Sequence, residues 1–229
     1  MKTTEEIKAD IDTIVRKQGN QGALKLGDVL DDIVDNLSVV NKVMANIPDV
    51  ATFQTAVPNT ATEIVFAYYG GVDLTGYTKS GNIGKDIDVY ADDTKYAVVS
   101  SKTIFAPEDC ADFFRDYNAL TSLDLSNFDT SKATTFSQMF RGCSGLTSLD
   151  VSNFNTANAT TFQSMFRNCS GLTTITANDW SATVTSTDMF TGCTSLVGGN
   201  GTTYDASHVD ASYAHIDVAD NPGYFTAPA

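Results

Sequence analysis

Cysteine and histidine side chains could give this sequence zinc or disulfide chemistry. Cys143, Cys169 and Cys193 occupy one position in successive copies of an internal repeat. A preceding partial copy has Tyr117 at this position, which favours packing of a small buried thiol, with a disulfide between adjacent copies as the alternative. Cys110 lies outside the position, no Cys-x-x-Cys pair occurs, and both histidines are far from any cysteine in the sequence. Zinc is therefore disfavoured, and we predict no cofactor.

Carboxylates could bind calcium or act in acid–base chemistry. Four aspartates lie close together in the sequence: Asp86, Asp88, Asp92 and Asp93. They do not follow the order of an EF-hand loop, which favours a solvated acidic edge over a calcium site. Motifs for phosphate binding, zinc-dependent hydrolysis and serine nucleophiles do not occur. A carboxylate pair for glycoside cleavage depends on the fold, and nothing in the sequence indicates one, so we predict that the chain is not an enzyme.

Aromatic rings could hold a sugar by weak contacts, and several such weak sites could act together. Four residues are candidates for contact with a glycan: Trp180, Tyr204, Tyr213 and Tyr224. Trp180 replaces a phenylalanine of the repeat, and the three tyrosines lie among turns near the C-terminus. The alternative for Trp180 is a core position, because Phe128 and Phe154 stand in register with it.

The repeat that positions these residues is 26 residues long. Residues 120–145 and 146–171 are identical at 19 of 26 positions, a shorter third copy spans residues 172–195, and half a copy precedes the first. Each copy has the pattern L-x-x-L-x-L of a short strand, followed by Asn127, Asn153 or Asp179, which could satisfy the backbone of the turning chain. A fixed period of this length predicts a solenoid, in which each coil contacts only its neighbours.

A heptad pattern of apolar residues precedes the repeats. Seven residues, spaced alternately by four and three positions, form this seam: Leu26, Leu30, Ile33, Leu37, Val40, Met44 and Ile47. Residues without β-branching at one core position and mostly β-branched residues at the other favour three or four strands. The pattern predicts a coiled-coil helix over residues 25–47 that joins the chains in a homotrimer. The alternative is an amphipathic helix packed on its own domain.

The remaining segments divide the chain into anchor, linker and caps. Residues 1–24 are predicted to hold a short helix and a turn, with four apolar residues for anchoring: Ile7, Ile11, Ile14 and Val15. Residues 48–60 contain two prolines and are predicted as a linker. Residues 61–106 are predicted as a β-rich cap of the repeats, which span residues 107–195, and residues 196–229 as the C-terminal cap.

The composition limits the partners of the chain. The net charge is −14, and no Lys or Arg follows Arg167, so we expect the C-terminal third to repel nucleic acid and anionic lipid. No apolar run is long enough to predict insertion into a membrane. The N-terminus lacks the apolar stretch of a signal peptide, and we expect the chain to be made in a cytoplasm without export by the usual route.

The repeat pattern L-T-S-L-D-x-S-N-F-x-T, followed by M-F-x-x-C-S-x-L, resembles the BspA-like leucine-rich repeats of surface proteins and mobile-element proteins of gut and oral bacteria. The resemblance covers about residues 104–225 and implies a leucine-rich-repeat fold. The N-terminal pattern, a helix, Q-G-N-Q-G and then L-x-x-V-L-x-x-I-V-D-N-L, resembles structural and fibre proteins of crAss-like phages that infect gut Bacteroidales. That resemblance implies a virion appendage.

The predicted fold class is therefore α+β, with N-terminal helices, a trimeric coiled-coil stalk, a small β-rich cap and a leucine-rich-repeat solenoid. The predicted function is that of a phage virion structural protein, a homotrimeric head or tail fibre that displays the repeat domain for adhesion. Its expected partners are itself, other virion proteins such as capsid or tail proteins, and a glycan of the host surface. The alternative is a bacterial cell-surface or secreted adhesin.

Overall fold

The structure of the chain, a computed structural model, describes residues 45–84, 86–180 and 184–229. Its regular elements in chain order are β1 (Ala45–Asn46), α1 (Val50–Ala56), β2 (Glu63–Tyr68), β3 (Thr78–Ile83), β4 (Ile87–Asp92), β5 (Lys95–Ser100), β6 (Ile104–Phe105), β7 (Ser122–Asp124), β8 (Phe128–Asp129), β9 (Ser148–Asp150), β10 (Thr174–Thr176), a 3₁₀ turn (Ala211–Tyr213) and β11 (Phe225–Thr226). No helix within these residues is long and apolar enough to cross a membrane.

Three sheets contain the strands. The largest has the order β3-β4-β5-β2-β7, in which β3, β4 and β5 are antiparallel neighbours and β2 runs parallel to both β5 and β7. The other two sheets, β1-β6-β8 and β11-β10-β9, are parallel throughout. The parallel pairs join strands of successive coils, so the chain winds in one direction as it advances.

Each copy of the repeat forms one coil of a stack. Parallel bridges link the same position of four adjacent coils: Asp109, Thr135, Thr161 and Thr185. On another side of the stack, Phe114 N donates to Met139 O at 2.8 Å, and Phe140 N donates to Met165 O at 2.9 Å. Each coil therefore satisfies backbone groups of its neighbour, which is how a solenoid avoids buried unpaired N–H and C=O groups.

A ladder of phenylalanine rings fills the core of the stack, with one ring from each coil. Its members are Phe114, Phe140, Phe166 and Phe190, all fully buried. Successive ring centroids lie 5.4, 5.7 and 5.6 Å apart, with interplanar angles of 6°, 1° and 10°. Such spacing is favourable for aromatic pairs, and it requires the same ring at the same position of every coil.

The cysteines of the repeat are buried free thiols beside this ladder. Cys143 Sγ donates to Phe114 O, and Cys169 Sγ donates to Phe140 O, both at 3.0 Å. Burial raises the pKa of the Cys143 thiol to about 12. Tyr117, which takes the same position in the first coil, is buried as well. The predicted packing role of this position is confirmed.

The predicted α+β fold class with a coiled-coil stalk is wrong, because the described part of the chain is rich in sheet and contains no such stalk. Ile47, the last residue of the predicted seam, is 1% exposed, and its N–H donates to Phe105 O at 3.0 Å. Hydrogen bonds to β6 fix an extended backbone here, where apolar spacing alone indicated helix. The other seam residues and the predicted anchoring residues lie outside the described residues: Leu26, Leu30, Ile33, Leu37, Val40, Met44, Ile7, Ile11, Ile14 and Val15.

The segment predicted as a linker, residues 48–60, contains α1. Asp49 caps this helix by accepting a hydrogen bond from Thr52 N at 2.7 Å. Phe53 of α1 is fully buried, and its ring centroid lies 4.3 Å from that of Phe113. Because β1 pairs with β6 and β2 pairs with β7, residues 45–68 form an additional coil in front of the repeats. Burial of Phe53 gives this coil its place in the core.

Side chains at both ends of the stack satisfy backbone groups that have no further repeat coil to pair with. At the first turn, Gln54 Nε2 of α1 donates to Asp112 O at 2.9 Å. At the last turn, Gly192 N donates to the hydroxyl of Tyr204 at 3.2 Å. The stack therefore ends in specific hydrogen bonds, as terminal coils of a repeat protein require.

Asp217 holds the C-terminal cap together. This residue is 5% exposed, and its Oδ2 accepts hydrogen bonds from Asn200 N and Thr202 N, both at 2.9 Å. Its Oδ1 accepts from Thr202 Oγ1 at 2.6 Å and from Gly223 N at 3.2 Å. Burial raises the pKa of Asp217, but these hydrogen bonds outweigh burial and hold the pKa below its usual value.

Candidate functional site

Two of the four aromatic residues predicted to contact a glycan are core residues. Trp180 is 7% exposed, and its ring centroid lies 5.0 Å from that of Phe162 and 5.1 Å from that of Phe225. Tyr224 is fully buried, and its hydroxyl accepts a hydrogen bond from Asp205 N at 3.0 Å. Their faces pack against other rings, so the alternative core role of Trp180 is the one the structure supports.

The other two predicted residues belong to the C-terminal cap. Tyr204 is partly buried, and its hydroxyl accepts a hydrogen bond from Gly192 N. Tyr213 packs between His208 and Tyr224, with centroid distances of 4.4 and 4.9 Å. The structure thus brings the three tyrosines together as a packed cluster that closes the last coil, and Trp180 lies in the core beneath it.

Two of the four aspartates of the predicted acidic cluster are in ion pairs, and Asp92 and Asp93 are exposed. Asp86 Oδ1 lies 3.3 Å from Lys102 Nζ, and Asp88 Oδ1 lies 2.7 Å from Lys79 Nζ. Asp88 also accepts a hydrogen bond from the hydroxyl of Tyr69. Among the described residues, no group of three or more His, Cys, Asp or Glu side chains is placed to hold a metal ion.

A stripe of one arginine per coil crosses three coils: Arg115, Arg141 and Arg167. Arg115 Nη1 lies 3.2 Å from Asp112 Oδ1, and Arg167 Nη1 lies 2.6 Å from Asp188 Oδ2. These ion pairs are partly exposed, and each compensates the charge of an arginine with a carboxylate of the same stack. The stripe is therefore not a strongly positive surface.

The outward side chains of the repeat strands form a polar surface, which we call the strand face. It consists of Ser122 and Asp124 of β7, Ser148 and Asp150 of β9, and Thr174 and Thr176 of β10. Threonine hydroxyls beside this face join the coils. Thr121 Oγ1 donates to Thr62 O at 3.0 Å, and Thr173 Oγ1 donates to Thr147 O at 2.8 Å. The strand face is therefore regular and firmly held.

A groove of about 410 Å³ opens at the N-terminal end of the strand face, where β2 meets β7. We call it the Tyr68 groove. Nine residues line it: Val65, Ala67, Tyr68, Gly71, Val72, Asp73, Asp124, Ser126 and Asn127. The parallel register of β2 and β7 places Val65 opposite Asp124, two residues that are far apart in sequence. The loop that follows β2 supplies Gly71, Val72 and Asp73.

Tyr68 presents an aromatic ring at this groove. Its side chain is 47% exposed, and its hydroxyl is 2.9 Å from Thr103 Oγ1. The next residue, Tyr69, is 45% exposed but does not line the groove, and its hydroxyl bonds to Asp88. Hydrogen bonds at their tips fix both rings, so little side-chain entropy remains to be lost when Tyr68 packs against a ligand.

Two carboxylates line the Tyr68 groove, Asp73 from the loop after β2 and Asp124 from β7. Asp73 Oδ1 accepts a hydrogen bond from Thr75 N at 2.9 Å, and Asp124 Oδ1 accepts from Ser126 N at 2.8 Å. The hydrogen bonds from Thr75 lower the pKa of Asp73. In both residues one carboxylate oxygen is used by a turn of the chain, and no hydrogen bond within the described residues engages the other.

Asn127 supplies a third acceptor. The residue is 4% exposed, and its Nδ2 faces Lys102 O at 3.5 Å, which turns Oδ1 away from that carbonyl. Asn127 Oδ1 is buried and has no hydrogen-bond partner. A buried acceptor without a partner costs about 1–3 kcal/mol, and few are found in native proteins. Asn127, which lines the Tyr68 groove, therefore has a buried acceptor whose hydrogen-bonding capacity the chain itself leaves unused.

Sequence reasoning did not select the residues of the Tyr68 groove. Asn127 was predicted to satisfy the backbone, and only its weak bond to Lys102 O does so. The equivalent Asn153 fulfils that role, because its Nδ2 donates to Leu125 O at 2.8 Å and to Phe128 O at 3.1 Å. The available signal was the adjacent pair Tyr68 and Tyr69 at the end of a strand, followed by two glycines that indicate a turn.

A parallel stack of capped coils defines a repeat protein of the solenoid type. Within it, residues 108–221, just under half of the chain, match the family described as "Mycoplasma protein of unknown function, DUF285". This match agrees with the resemblance to BspA-like repeats, and it includes no link to phage proteins. The searches of curated proteins and of solved structures gave no match.

Proposed function

We propose that the chain is a non-catalytic structural protein that displays a rigid binding surface, and that it acts by adhesion. The observation that supports this proposal is the regularity of the stack. The same backbone bonds, phenylalanine ladder and thiol contacts recur from coil to coil and end in capping contacts. A scaffold of this kind holds surface groups at fixed spacing, which suits recognition of an extended ligand.

The state of the reactive side chains supports a non-catalytic role. Burial raises the pKa of the thiols of Cys110, Cys143 and Cys193 to about 12, so these thiols stay protonated at neutral pH. A protonated thiol is a poor nucleophile and a poor metal ligand. Exposed polar groups around the Tyr68 groove, in contrast, are available for binding.

We place this display protein on a virion, as part of a head or tail fibre with capsid or tail proteins as partners. The N-terminal resemblance to phage structural proteins supports this location. The alternative is a bacterial cell-surface adhesin, and the family match favours it, because the family description names a bacterial genus.

Immunogold electron microscopy with antibodies against the full-length chain tests the proposal and separates the two locations. The sections should contain cells of the source bacterium and any phage particles released from them. Gold on particles supports the virion protein, and gold on the cell envelope supports the adhesin. Gold confined to the cytoplasm would contradict both.

A further inference from the structure

We propose that the Tyr68 groove binds an uncharged sugar unit of a glycan. The inference rests on the proposed adhesive function and assigns a site to it. The volume of about 410 Å³ lies within the range of about 300–1,000 Å³ that is usual for small-molecule sites. The groove combines an aromatic ring, a small apolar floor and oxygen acceptors, and a sugar ring can engage all three.

The polar groups of the groove favour a ligand that donates hydrogen bonds. Asp73 and Asp124 each offer a carboxylate oxygen, and the lining residue Asn127 has a buried Oδ1 without a partner. Sugar hydroxyls are neutral donors, and a bond from a hydroxyl to a carboxylate is stronger than a bond between neutral groups. A hydroxyl that reached Asn127 Oδ1 would supply the partner that the unliganded chain lacks.

The apolar groups favour a ligand with a hydrocarbon face. Tyr68 exposes its ring at the groove while its hydroxyl is held by Thr103. Val65, Ala67 and Val72 add small apolar side chains to the lining. The C–H face of a sugar ring can lie against such a surface while its hydroxyls point to the acceptors, so one ligand satisfies both parts of the groove.

Anions and calcium ions fit the lining of the groove poorly. Two carboxylates repel an anion, which excludes phosphate, sulfate and acidic sugars as preferred occupants. A calcium ion requires about 6–8 oxygen ligands, and the apolar floor of the groove supplies none. An uncharged, hydroxyl-rich ligand avoids both conflicts.

In the part of the chain that the structure describes, the site occurs once, because the pairing of β2 with the first repeat strand β7 occurs once. Asp150 repeats Asp124 in the next coil and accepts the same turn hydrogen bond, from Ser152 N at 2.9 Å. Asp150 does not line the groove, and the amide nitrogen of the nearby Asn153 donates hydrogen bonds to two backbone carbonyls. Asp150 and Tyr69 therefore provide matched controls for Asp124 and Tyr68.

The test uses the labelled full-length chain on a printed array of neutral and acidic oligosaccharides, followed by an NMR titration with the strongest neutral binder. The variants are Tyr68→Ala and Asp124→Asn, with Tyr69→Ala and Asp150→Asn as controls. We expect neutral oligosaccharides to bind, Tyr68→Ala and Asp124→Asn to weaken binding at least about tenfold, and the controls to stay within about twofold of the parent. Unchanged melting temperatures would show that all four variants fold.

Four results would overturn the inference. If Tyr68→Ala and Asp124→Asn bind like the parent, the sugar site is elsewhere and the adhesive function still stands. If only acidic oligosaccharides bind, the assigned ligand class is wrong. If no oligosaccharide binds at millimolar concentration, the groove is not a sugar site. The same follows if calcium chloride shifts the NMR signals of the groove and Asp124→Asn abolishes that shift. The immunogold experiment then decides separately whether the chain is displayed on a surface.

Discussion

Asn127 and Asn153 occupy the same position of successive coils, but their amides have different surroundings. Asn153 lies within the regular stack, is exposed, and donates to two carbonyls of the preceding coil. Asn127 lies where the cap meets the first repeat, is buried, and has an unpaired Oδ1. The amide of Asn153 thus finds acceptors in the preceding coil, whereas the amide of Asn127 leaves an acceptor unused where the repeats begin.

The same contrast holds for the sheet. Inside the repeats, β9 and β10 pair through three residues each. At the junction, the first repeat strand β7 pairs instead with the six-residue strand β2, which extends beyond it towards Tyr68. The unequal strand lengths leave room for the Tyr68 groove. Irregular pairing thus creates a concave site at the start of the repeats.

The largest expected effect is the loss of a ring from the regular ladder. Phe140→Ala removes a fully buried ring that stacks on Phe114 and Phe166. We expect it to lower the free energy of unfolding by about 3–5 kcal/mol, since a large cavity forms in a close-packed core. Urea denaturation measures the change, with exposed Ser148→Ala as a control that should stay within about 0.5 kcal/mol. A loss below about 1 kcal/mol would show that the ladder does not stabilise the stack.

The second effect concerns the C-terminal cap. In the parent chain, backbone N–H groups donate to the Asp217 carboxylate, and Asp217→Asn places an amide NH₂ against some of these donors. We expect the free energy of unfolding to fall by about 1.5–3 kcal/mol. Because the pKa of Asp217 is lowered in the folded chain from an ordinary value of 3.8, its contribution is present above that value. It is lost as the pH falls through the lower pKa of the folded state.

Urea denaturation of parent and Asp217→Asn between pH 7 and pH 2 measures this dependence. The two stabilities should differ most near neutral pH and converge in acid. A difference that stayed constant down to the lowest pH would mean that the charge of Asp217 is not what stabilises the cap.

The smallest expected effect compares the two asparagines directly. Asn153→Leu removes the amide donor to Phe128 O and one of the two donors to Leu125 O, which keeps Phe128 N, and we expect a loss of about 1–2 kcal/mol. Asn127→Leu removes an unpaired buried acceptor and one long hydrogen bond, so we expect a change within about 0.5 kcal/mol in either direction. Thermal and urea unfolding measure both variants.

The asparagine comparison becomes sharper with sugar binding as a second readout. Asn127→Leu should weaken binding of the neutral oligosaccharide although stability is kept, and Asn153→Leu should bind like the parent although it is less stable. Equal losses of stability in the two variants would remove the distinction between junction and stack. A stable Asn127→Leu variant with full binding would show that Oδ1 does not contact the sugar.

Particular residues show how far sequence reasoning reached. The packing role of the cysteine position followed from the alternation of Cys and Tyr in one column, because a position inside a stack accepts any side chain that fills the volume. The sequence left two roles open for Trp180, because an aromatic residue can pack in a core or contact a ligand. Residues 45–68 have no likeness to the repeat, so their role as an additional coil could not be detected from the period.

The sequence by itself determined the repeating coil, because its 26-residue period places identical side chains against each other and local spacing is enough to specify that contact. Tertiary structure alone decided the extended backbone at Ile47 and the position of α1 in the core. It also decided the Tyr68 groove, since Val65 and Asp124 meet only through the pairing of β2 with β7. Pairing between segments distant in sequence depends on the burial and hydrogen bonding of the whole fold, and no local pattern encodes it.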